Sequence, residues 1–180
     1  MAEHTANAKP IRIYGDPVLR KKADPVTAID DGLLRTAAQM VATLEQARGL
    51  GLAAPQIGCS RQLCVINLPA LDEKQTKPLA LLNPVVTARQ GRVTLEEGCL
   101  SFPQLYAEVA RPRSITVTGV GLDGNELEIE ASELLARVLS HEIDHLNGVL
   151  FIDHLSVLKR QLLRKELKEL TAKARTPAQG

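Results

Sequence analysis

Residues 132–148 read SELLARVLSHEIDHLNG, and this stretch decides the fold. Its apolar side chains fall on nearly every side of a helix, which is typical of a helix buried in the protein core. Ser132 suits the N-cap position, and Gly148 suits the position just beyond a helix C-terminus. The sequence therefore predicts a buried helix over about residues 132–147.

The same helix carries the motif H-E-x-x-H at His141, Glu142 and His145. Residues four apart lie on one helix face, so the two imidazole rings can converge on one cation. Glu142 can reach a water at the metal without binding the metal, and can then act as a base. The alternative is an exposed helix end with solvated histidines and acids, but polar groups on a buried helix need partners. The pattern favours a metal-dependent hydrolase.

Two histidines leave a catalytic metal site incomplete, since such sites commonly have a third protein ligand. Phe151 stands where the metzincin proteases have a third histidine, so that pattern fails. Cys99 is a candidate because a thiolate binds zinc or ferrous iron well. A single cysteine in a loop is often just a small buried residue, so the residues alone leave both roles open.

The stretch at residues 49–58, GLGLAAPQIG, is rich in glycine and alanine, which let the backbone approach a ligand closely. It lacks the lysine and hydroxyl residue of a phosphate-binding loop. Gln56 offers an amide donor that could stabilise an oxyanion. It could equally cap a backbone group in a tight connection between a helix and a strand, and both roles stay open.

The rest of the chain predicts an α+β fold, with strands in the middle and helices around them. A helix is expected at 31–47, ended by Gly49, and a charged helix at 156–174. The first of these would turn an apolar face inward, formed by Leu34, Ala38, Val41 and Leu44. An Asp123-Gly124 turn predicts a hairpin. Predicted strands cover residues 11–14, 62–68, 79–86, 91–95, 114–120, 126–130 and 149–152.

Length and composition predict one catalytic domain over residues 1–180, with a loose arm at 1–10 and a disordered tail at 175–180. A net charge of +1 carries no signal for nucleic acid, and no apolar run is long enough to span a membrane. Three cysteines, an odd number, indicate reduced thiols. With no targeting segment evident, we expect a cytoplasmic protein, and the mature form of an organellar protein would look the same.

Three segments together are similar to the signature motifs of the peptide deformylase family. They are GLGLAAPQ at 49–56, EGCLS at 97–101 and HEIDH at 141–145, and the flanking stretches IRIYGDPVL (11–19) and GVLFI (148–152) also resemble the family. The resemblance extends from about residue 10 to about residue 170. It implies an α+β fold in which antiparallel sheets pack around a central metal-binding helix, with a further helix at the C-terminus.

The resemblance also implies roles for individual residues. Cys99, His141 and His145 would bind one divalent metal per chain, physiologically Fe²⁺, with Zn²⁺, Ni²⁺ or Co²⁺ possible in purified protein. Glu142 would be the general acid and base, and Gln56 with the Leu100 N–H would stabilise the oxyanion. A water activated at the metal would remove the formyl group from the N-terminal methionine of new polypeptides and release formate.

The resemblance places the methionine pocket among Leu50, Glu97, Leu134 and Val138. The peptide backbone would add as a strand near glycines that the motifs supply, which are Gly49, Gly51 and Gly98. Where many bacterial relatives carry arginine, this chain has Tyr106, so the pocket rim departs from the family pattern.

Other functions remain open. A zinc endopeptidase shares H-E-x-x-H but would not use Cys99, and an inactive relative would bind formylated peptides without turning them over. Intact Glu142 and Gln56 argue against the inactive relative. The charged C-terminal helix would either dock on the ribosome, as such extensions do in the family, or form a solvated helix, and both can hold. Leucines would pack that helix: Leu158, Leu162, Leu163, Leu167 and Leu170.

Overall fold

A computed structural model of the chain describes residues 6–175, and within them seven strands form two antiparallel sheets. The larger sheet has the order β1-β2-β3-β6-β7, and the smaller one is the β4–β5 hairpin. The α+β class and the antiparallel sheets are confirmed. The strands are β1 (Gly51–Ala53), β2 (Leu63–Ile66), β3 (Leu79–Gln90), β4 (Val93–Cys99), β5 (Phe102–Arg111), β6 (Ser114–Val120) and β7 (Glu126–Ser132).

The same described residues contain five α-helices: α1 (Asp31–Ala47), α2 (Leu68–Leu71), α3 (Glu133–Leu146), α4 (Val157–Leu162) and α5 (Arg164–Arg175). Helix α3 packs on the larger sheet through a core cluster that includes Val138, Leu139 and Ile143. This is the central helix that the sequence predicts. Its first turn differs from the prediction of burial on every side, because Leu134 is 49% exposed.

Helix α1 lies where the sequence predicts it, but two details of the prediction are wrong. The left-handed residue that ends the helix is Arg48, with φ of 52°, rather than Gly49. The inward face is rotated by about one residue in the first turns, since Leu33, Ala37 and Met40 are buried while Leu34 is 41% exposed. Leu44, near the end of the helix, is buried as predicted. Several residues on both sides of the true face are apolar, so the spacing alone could not fix its direction.

Strand β5 is absent from the sequence prediction, and β4 extends to Cys99 instead of ending at residue 95. Gln104, Tyr106 and Glu108 are exposed on β5 while Leu105 and Val109 are buried, so the strand is half buried. Its apolar–polar alternation is broken near its start, where the consecutive residues 103 and 104 are both exposed. A register irregularity between Gly98 and Cys99 further disrupts the alternation. The result is a hairpin that brings Cys99 to the edge of the smaller sheet.

Two predicted strands are not strands. Residues 11–14 are extended, but the Arg12 N–H donates to the Gln56 carbonyl and the Tyr14 N–H donates to the Ser101 carbonyl. Because these partners lie in different parts of the fold, no ladder forms. At residues 149–152 the chain instead enters a 3-10 turn, Phe151–His154, whose Asp153 carboxylate accepts the Leu150 N–H at 2.9 Å.

The predicted C-terminal helix is divided into α4 and α5 at Leu163. Leu167 and Leu170 are buried against the core cluster that contains Phe102 and Phe151, whereas Leu158 and Leu162 are exposed. Arg175 ends α5, so the helix includes the first residue of the predicted tail.

The Asp123-Gly124 turn joins β6 to β7 as predicted, with Gly124 at φ of 83°. Residues 1–5 of the predicted arm and 176–180 of the predicted tail lie outside the described residues. Across residues 6–175, no helix combines the length and apolar content needed to cross a bilayer.

Candidate active site

A cavity of about 530 Å³ lies between α3, β4 and the segment that leads into β1. Its volume is in the range of small-molecule binding sites. The structure brings all of the sequence-predicted site residues except His145 to its wall. These are Gly49, Leu50, Gly51, Gln56, Glu97, Gly98, Cys99, Leu100, Leu134, Val138, His141 and Glu142.

Cys99, His141 and His145 form a compact group of potential metal donors. The Nε2 atoms of the two histidines are 3.2 Å apart, and Cys99 Sγ is 3.2 Å from His145 Nε2. One donor atom from each residue lies within 4.8 Å of the other two. The end of β4 supplies the cysteine and successive turns of α3 supply the histidines, so the group depends on the packing of two elements.

The donor set fits a divalent cation. Zinc–nitrogen bonds of about 2.0–2.1 Å at a tetrahedral angle place two nitrogens about 3.3 Å apart, close to the observed histidine separation. A thiolate with two imidazoles suits both zinc and iron. His145 is buried and its Nε2 faces two other electron-pair donors, an arrangement that a shared cation stabilises.

The Glu97 carboxylate orients one of these histidines. Its Oε1 lies 2.6 Å from His141 Nδ1, which leaves His141 Nε2 facing Cys99 and His145. Carboxylates commonly hold metal-binding histidines in this way. Burial would raise the pKa of Glu97, but hydrogen bonds from His141 and Arg111 outweigh it and hold the pKa well below its usual range.

Two buried arginines that the sequence analysis missed surround Glu97. Arg111 donates to both carboxylate oxygens, at 3.1 Å from Nε and 2.7 Å from Nη2. Arg137 donates from Nη1 to Glu97 Oε2 at 2.8 Å. A signal for Arg137 was available, since it stands one helical turn before His141 in an otherwise apolar stretch. Arg111 is the last residue of the unpredicted strand β5, so no pattern pointed to it.

Asp144 and His154 extend this polar group toward the surface. The Arg111 Nη1 also donates to Asp144, and His154 Nε2 lies 2.7 Å from the same carboxylate oxygen. His154 is not one of the three donors grouped within the described residues, which are Cys99, His141 and His145. It contacts Asp144, the residue directly before His145 in the motif.

Glu142 is 3% exposed, and its Oε2 finds no hydrogen-bond partner among residues 6–175. Burial raises the pKa of the Glu142 carboxyl group to about 7. A divalent cation at the neighbouring donors would offset part of this shift. A carboxyl group with a pKa near neutrality can accept a proton and return it within one reaction cycle.

Gly51 packs directly on this carboxylate. A Cβ atom at position 51 would lie 2.5 Å from Glu142 Oε1 and 2.8 Å from its Cγ, whereas real contacts are longer than 3.0 Å. The carboxylate would therefore have to move. Gly51 is thus needed for the position of Glu142, in addition to the role in substrate binding that the sequence analysis suggested.

We expect Gly51→Ala to lower the hydrolytic rate by about 100-fold, the typical cost of a misplacement of about 1 Å at a reacting group. Metal content should be unchanged, because Glu142 is not a donor. Steady-state kinetics and metal analysis of the same sample measure both quantities. Gly32→Ala, where a Cβ would come no closer than 3.2 Å to another residue, is the control. Full activity in Gly51→Ala would contradict this role.

Gln56 is 1% exposed and held at both ends of its amide. Its Oε1 accepts the Ala53 N–H at 2.8 Å, and its Nε2 donates to Ser101 Oγ at 3.2 Å. Nε2 also lies 3.7 Å from Cys99 Sγ. Both roles considered for Gln56 are therefore compatible, because its oxygen caps a backbone group while its amide nitrogen lies beside the donor group.

Part of the cavity wall is apolar. Val138 is buried in it, and Leu134, which also lines the cavity, is 49% exposed. The ring of Tyr106 lies over Gly98, where a Cβ would be 2.6 Å from Cε1. The tyrosine thereby forms the rim at the position where the family pattern has arginine.

Comparisons with known proteins agree with this geometry. A family model for polypeptide deformylase matches residues 8–161. A peptide deformylase of Agrobacterium fabrum is 48% identical over 168 residues, covering 93% of this chain and 96% of the relative. One of Nitrosococcus oceani is 45% identical over 156 residues, covering 87% and 92%. The crystal structure of peptide deformylase from Thermus thermophilus matches with a TM-score of 0.85 and 43% identity, covering 93% of this chain and all of that one.

A match over most of the chain, at this identity and with the same fold, shows both the family and the enzyme class. The described Cys-His-His group agrees with the metal dependence of that family. The chain belongs to the polypeptide deformylase family and is a metallohydrolase.

Proposed function

We propose that this chain is a single catalytic domain that removes the formyl group from the N-terminal methionine of newly synthesised polypeptides and releases formate. The observation that carries the proposal is the grouping of the Cys99, His141 and His145 donors beside a cavity whose wall includes Cys99, His141, the Glu142 carboxylate and the Gln56 amide. The relatives that match most of the chain are peptide deformylases, which supports the same reaction.

Cys99, His141 and His145 would hold one divalent cation, for which we propose Fe²⁺ in the cell and Zn²⁺, Ni²⁺ or Co²⁺ as substitutes in purified protein. The mixed sulfur and nitrogen donors support these ions over magnesium or calcium, which prefer oxygen. When bound, such an ion supplies Lewis acidity, which favours ionisation of water and polarises a carbonyl group.

Glu142 would move the proton. Its carboxylate accepts a proton from the water that attacks the formyl carbon, and then delivers that proton to the methionine nitrogen as the carbon–nitrogen bond breaks. The products are formate and a free amino terminus. Glu142 is buried and lines the cavity, and one of its oxygens has no hydrogen-bond partner within the described part of the chain, so that oxygen is available to accept a proton.

The Gln56 amide and the Leu100 backbone N–H would donate to the oxygen that becomes negative when water attacks. Ala53 and Ser101 hold the Gln56 amide in place, and Leu100 directly follows Cys99. Donors that are already oriented lower the barrier because they do not have to reorganise during the reaction.

We expect Gln56→Leu to lower kcat by about 100- to 1,000-fold, the range for loss of one oxyanion donor. KM should change little, because the lost interaction forms mainly in the transition state. Steady-state kinetics with a formyl-methionyl peptide measures both constants, with Gln62→Leu as a control outside the cavity. A variant with raised KM and unchanged kcat would instead assign Gln56 to ground-state binding.

The substrate would lie between the two sheets. Strand β1 is the edge of the larger sheet and β4 is paired with β5 alone in the described residues, so each presents a free edge to the cavity. A peptide can add there as a strand beside Gly49, Gly51 and Gly98, which tolerates many sequences. We propose that the methionine side chain enters the apolar part of the wall formed by Leu50, Leu134 and Val138, with Glu97 at its base.

The test of the reaction compares formyl-Met-Ala-Ser with acetyl-Met-Ala-Ser. A deformylase is expected to release formate from the first and to leave the second almost intact, because a formyl carbonyl carries only hydrogen and is less hindered to attack by water than an acetyl carbonyl. Equal turnover of both peptides, or cleavage at an internal peptide bond, would contradict the proposal and favour a peptidase.

We further propose that the protein works in the cytoplasm and docks on the ribosome through α4 and α5. Arg160, Arg164 and Lys168 line a groove beside exposed Val157, which supports binding to a negatively charged surface.

We expect the wild type to sediment with ribosomes and a triple variant with glutamate at the three basic positions to stay in the supernatant, with deformylation of a free tripeptide unchanged. Equal sedimentation of both proteins would contradict docking by this groove.

A further inference from the structure

Arg137 connects α3 to both strands of the small hairpin. Besides its bond to Glu97, its Nη1 donates to the Val109 carbonyl on β5 at 3.1 Å, and its Nη2 donates to the Val93 carbonyl on β4 at 3.1 Å. The side chain is 5% exposed and stands one helical turn before His141. One guanidinium group therefore joins the helix that carries the histidines to the strand that carries Cys99.

Arg137 also completes the charge balance around Glu97. Arg111 is shared between Glu97 and Asp144, so two buried arginines neutralise two carboxylates. Without Arg137, the buried Glu97 would keep only a shared cation, and its Oε2 would lose one of two donors. A Glu97 carboxylate that is held less firmly orients His141 less well.

We infer that Arg137 is a positioning residue for the metal centre, acting on His141 through Glu97. By binding Glu97 Oε2, Arg137 would fix the orientation of the carboxylate, so that Oε1 stays in place beside His141 Nδ1. This contact would direct His141 Nε2 toward the other two metal donors. The inference rests on the proposed metal site and extends it to a residue that touches neither the metal nor the reacting atoms.

The test measures binding of Co²⁺, an ion whose absorption spectrum reports thiolate and imidazole ligation, by competition with a chelator. We expect Arg137→Met to weaken Co²⁺ binding by about 10-fold, the lower end of the range for residues that support metal ligands. Arg137→Lys keeps a cation near Glu97 and should recover part of that loss. Arg113→Met, which removes an exposed arginine paired with Glu133, should bind Co²⁺ like the wild type.

A double-mutant cycle with Glu97→Gln separates this role from a general effect on structure. If Arg137 acts through Glu97, adding Arg137→Met to Glu97→Gln should weaken Co²⁺ binding further by less than about twofold. If Arg137→Met still weakened Co²⁺ binding by about 10-fold in the Glu97→Gln variant, the inference would be overturned. If circular dichroism shows that Arg137→Met does not fold, Arg137→Lys replaces it in the cycle. The loss of Co²⁺ affinity caused by Arg137→Lys should be smaller, and it should be absent when Glu97 is already glutamine.

The outcomes for the two proposals are distinguishable. Wild-type protein that binds no Co²⁺ would overturn the metal site and the role of Arg137 together. Wild-type protein that binds one ion per chain, with Arg137→Met and Arg137→Lys binding equally well, would overturn the role of Arg137 alone.

Discussion

Replacing Glu142 by glutamine is expected to lower kcat for deformylation by about 100- to 10,000-fold, the range for loss of a general acid and base. Glutamine keeps the shape of the side chain against Gly51 but cannot accept a proton from water. The metal donors are Cys99, His141 and His145, so the variant should retain its metal. Steady-state formate release and elemental analysis of one sample measure the two properties together.

The control for this result is Glu96→Gln, which makes the same chemical change in an exposed residue of the same cavity. Its kcat should stay close to that of the wild type. If Glu142→Gln retained wild-type kcat with normal metal content, another group would have to move the proton and the proposed role of Glu142 would fail.

Replacing Cys99 by alanine should weaken metal binding by more than about 100-fold, since removal of a ligand exceeds the typical cost of removing a supporting residue. Activity should fall with the metal content. Two imidazoles would remain, and a buried pair of histidines with no third donor does not complete a catalytic site. Dialysis against a chelator, followed by metal analysis, gives the result directly.

Cys59→Ala provides the matched control, because Cys59 is a free, partly buried cysteine outside the donor group. It should keep both metal and activity. A Cys99→Ala protein that kept its metal and hydrolysed peptides would show a third ligand elsewhere, as expected for a zinc endopeptidase. This variant therefore separates the two hydrolase classes that share the H-E-x-x-H motif.

The sequence predicted those parts of the fold in which local pattern and burial agree. Helix α3 has a continuous apolar pattern and end signals at Ser132 and Gly148, and its position was predicted to within a residue. The β6–β7 hairpin has an Asp-Gly turn between two alternating strands. Strand β5 was missed because its outer face is polar, and its pairing with β4 depends on contacts distant in sequence.

The candidate site divides in the same way. His141, Glu142 and His145 follow from helical spacing, whereas the residues alone left the role of Cys99 open and the family resemblance was needed to favour it. The apolar surroundings of Arg137 could have marked it as a buried arginine, but its pairing with Glu97 could not be predicted. Arg111 and Arg137 come from a strand and a helix that meet only in the folded chain, and pairing between distant charges leaves no periodic trace in the sequence.

Whether this chain is a deformylase is decided by formate release from formyl-Met-Ala-Ser by anaerobically prepared protein, with bound metal quantified in the same sample. The proposed reaction predicts rapid release that scales with metal content and disappears in Glu142→Ala. Protein that carries one metal ion per chain in ferrous, nickel and zinc forms, yet releases no formate in any of them, would contradict it. Such a protein would be an inactive relative that binds formylated peptides, or a hydrolase for a different bond.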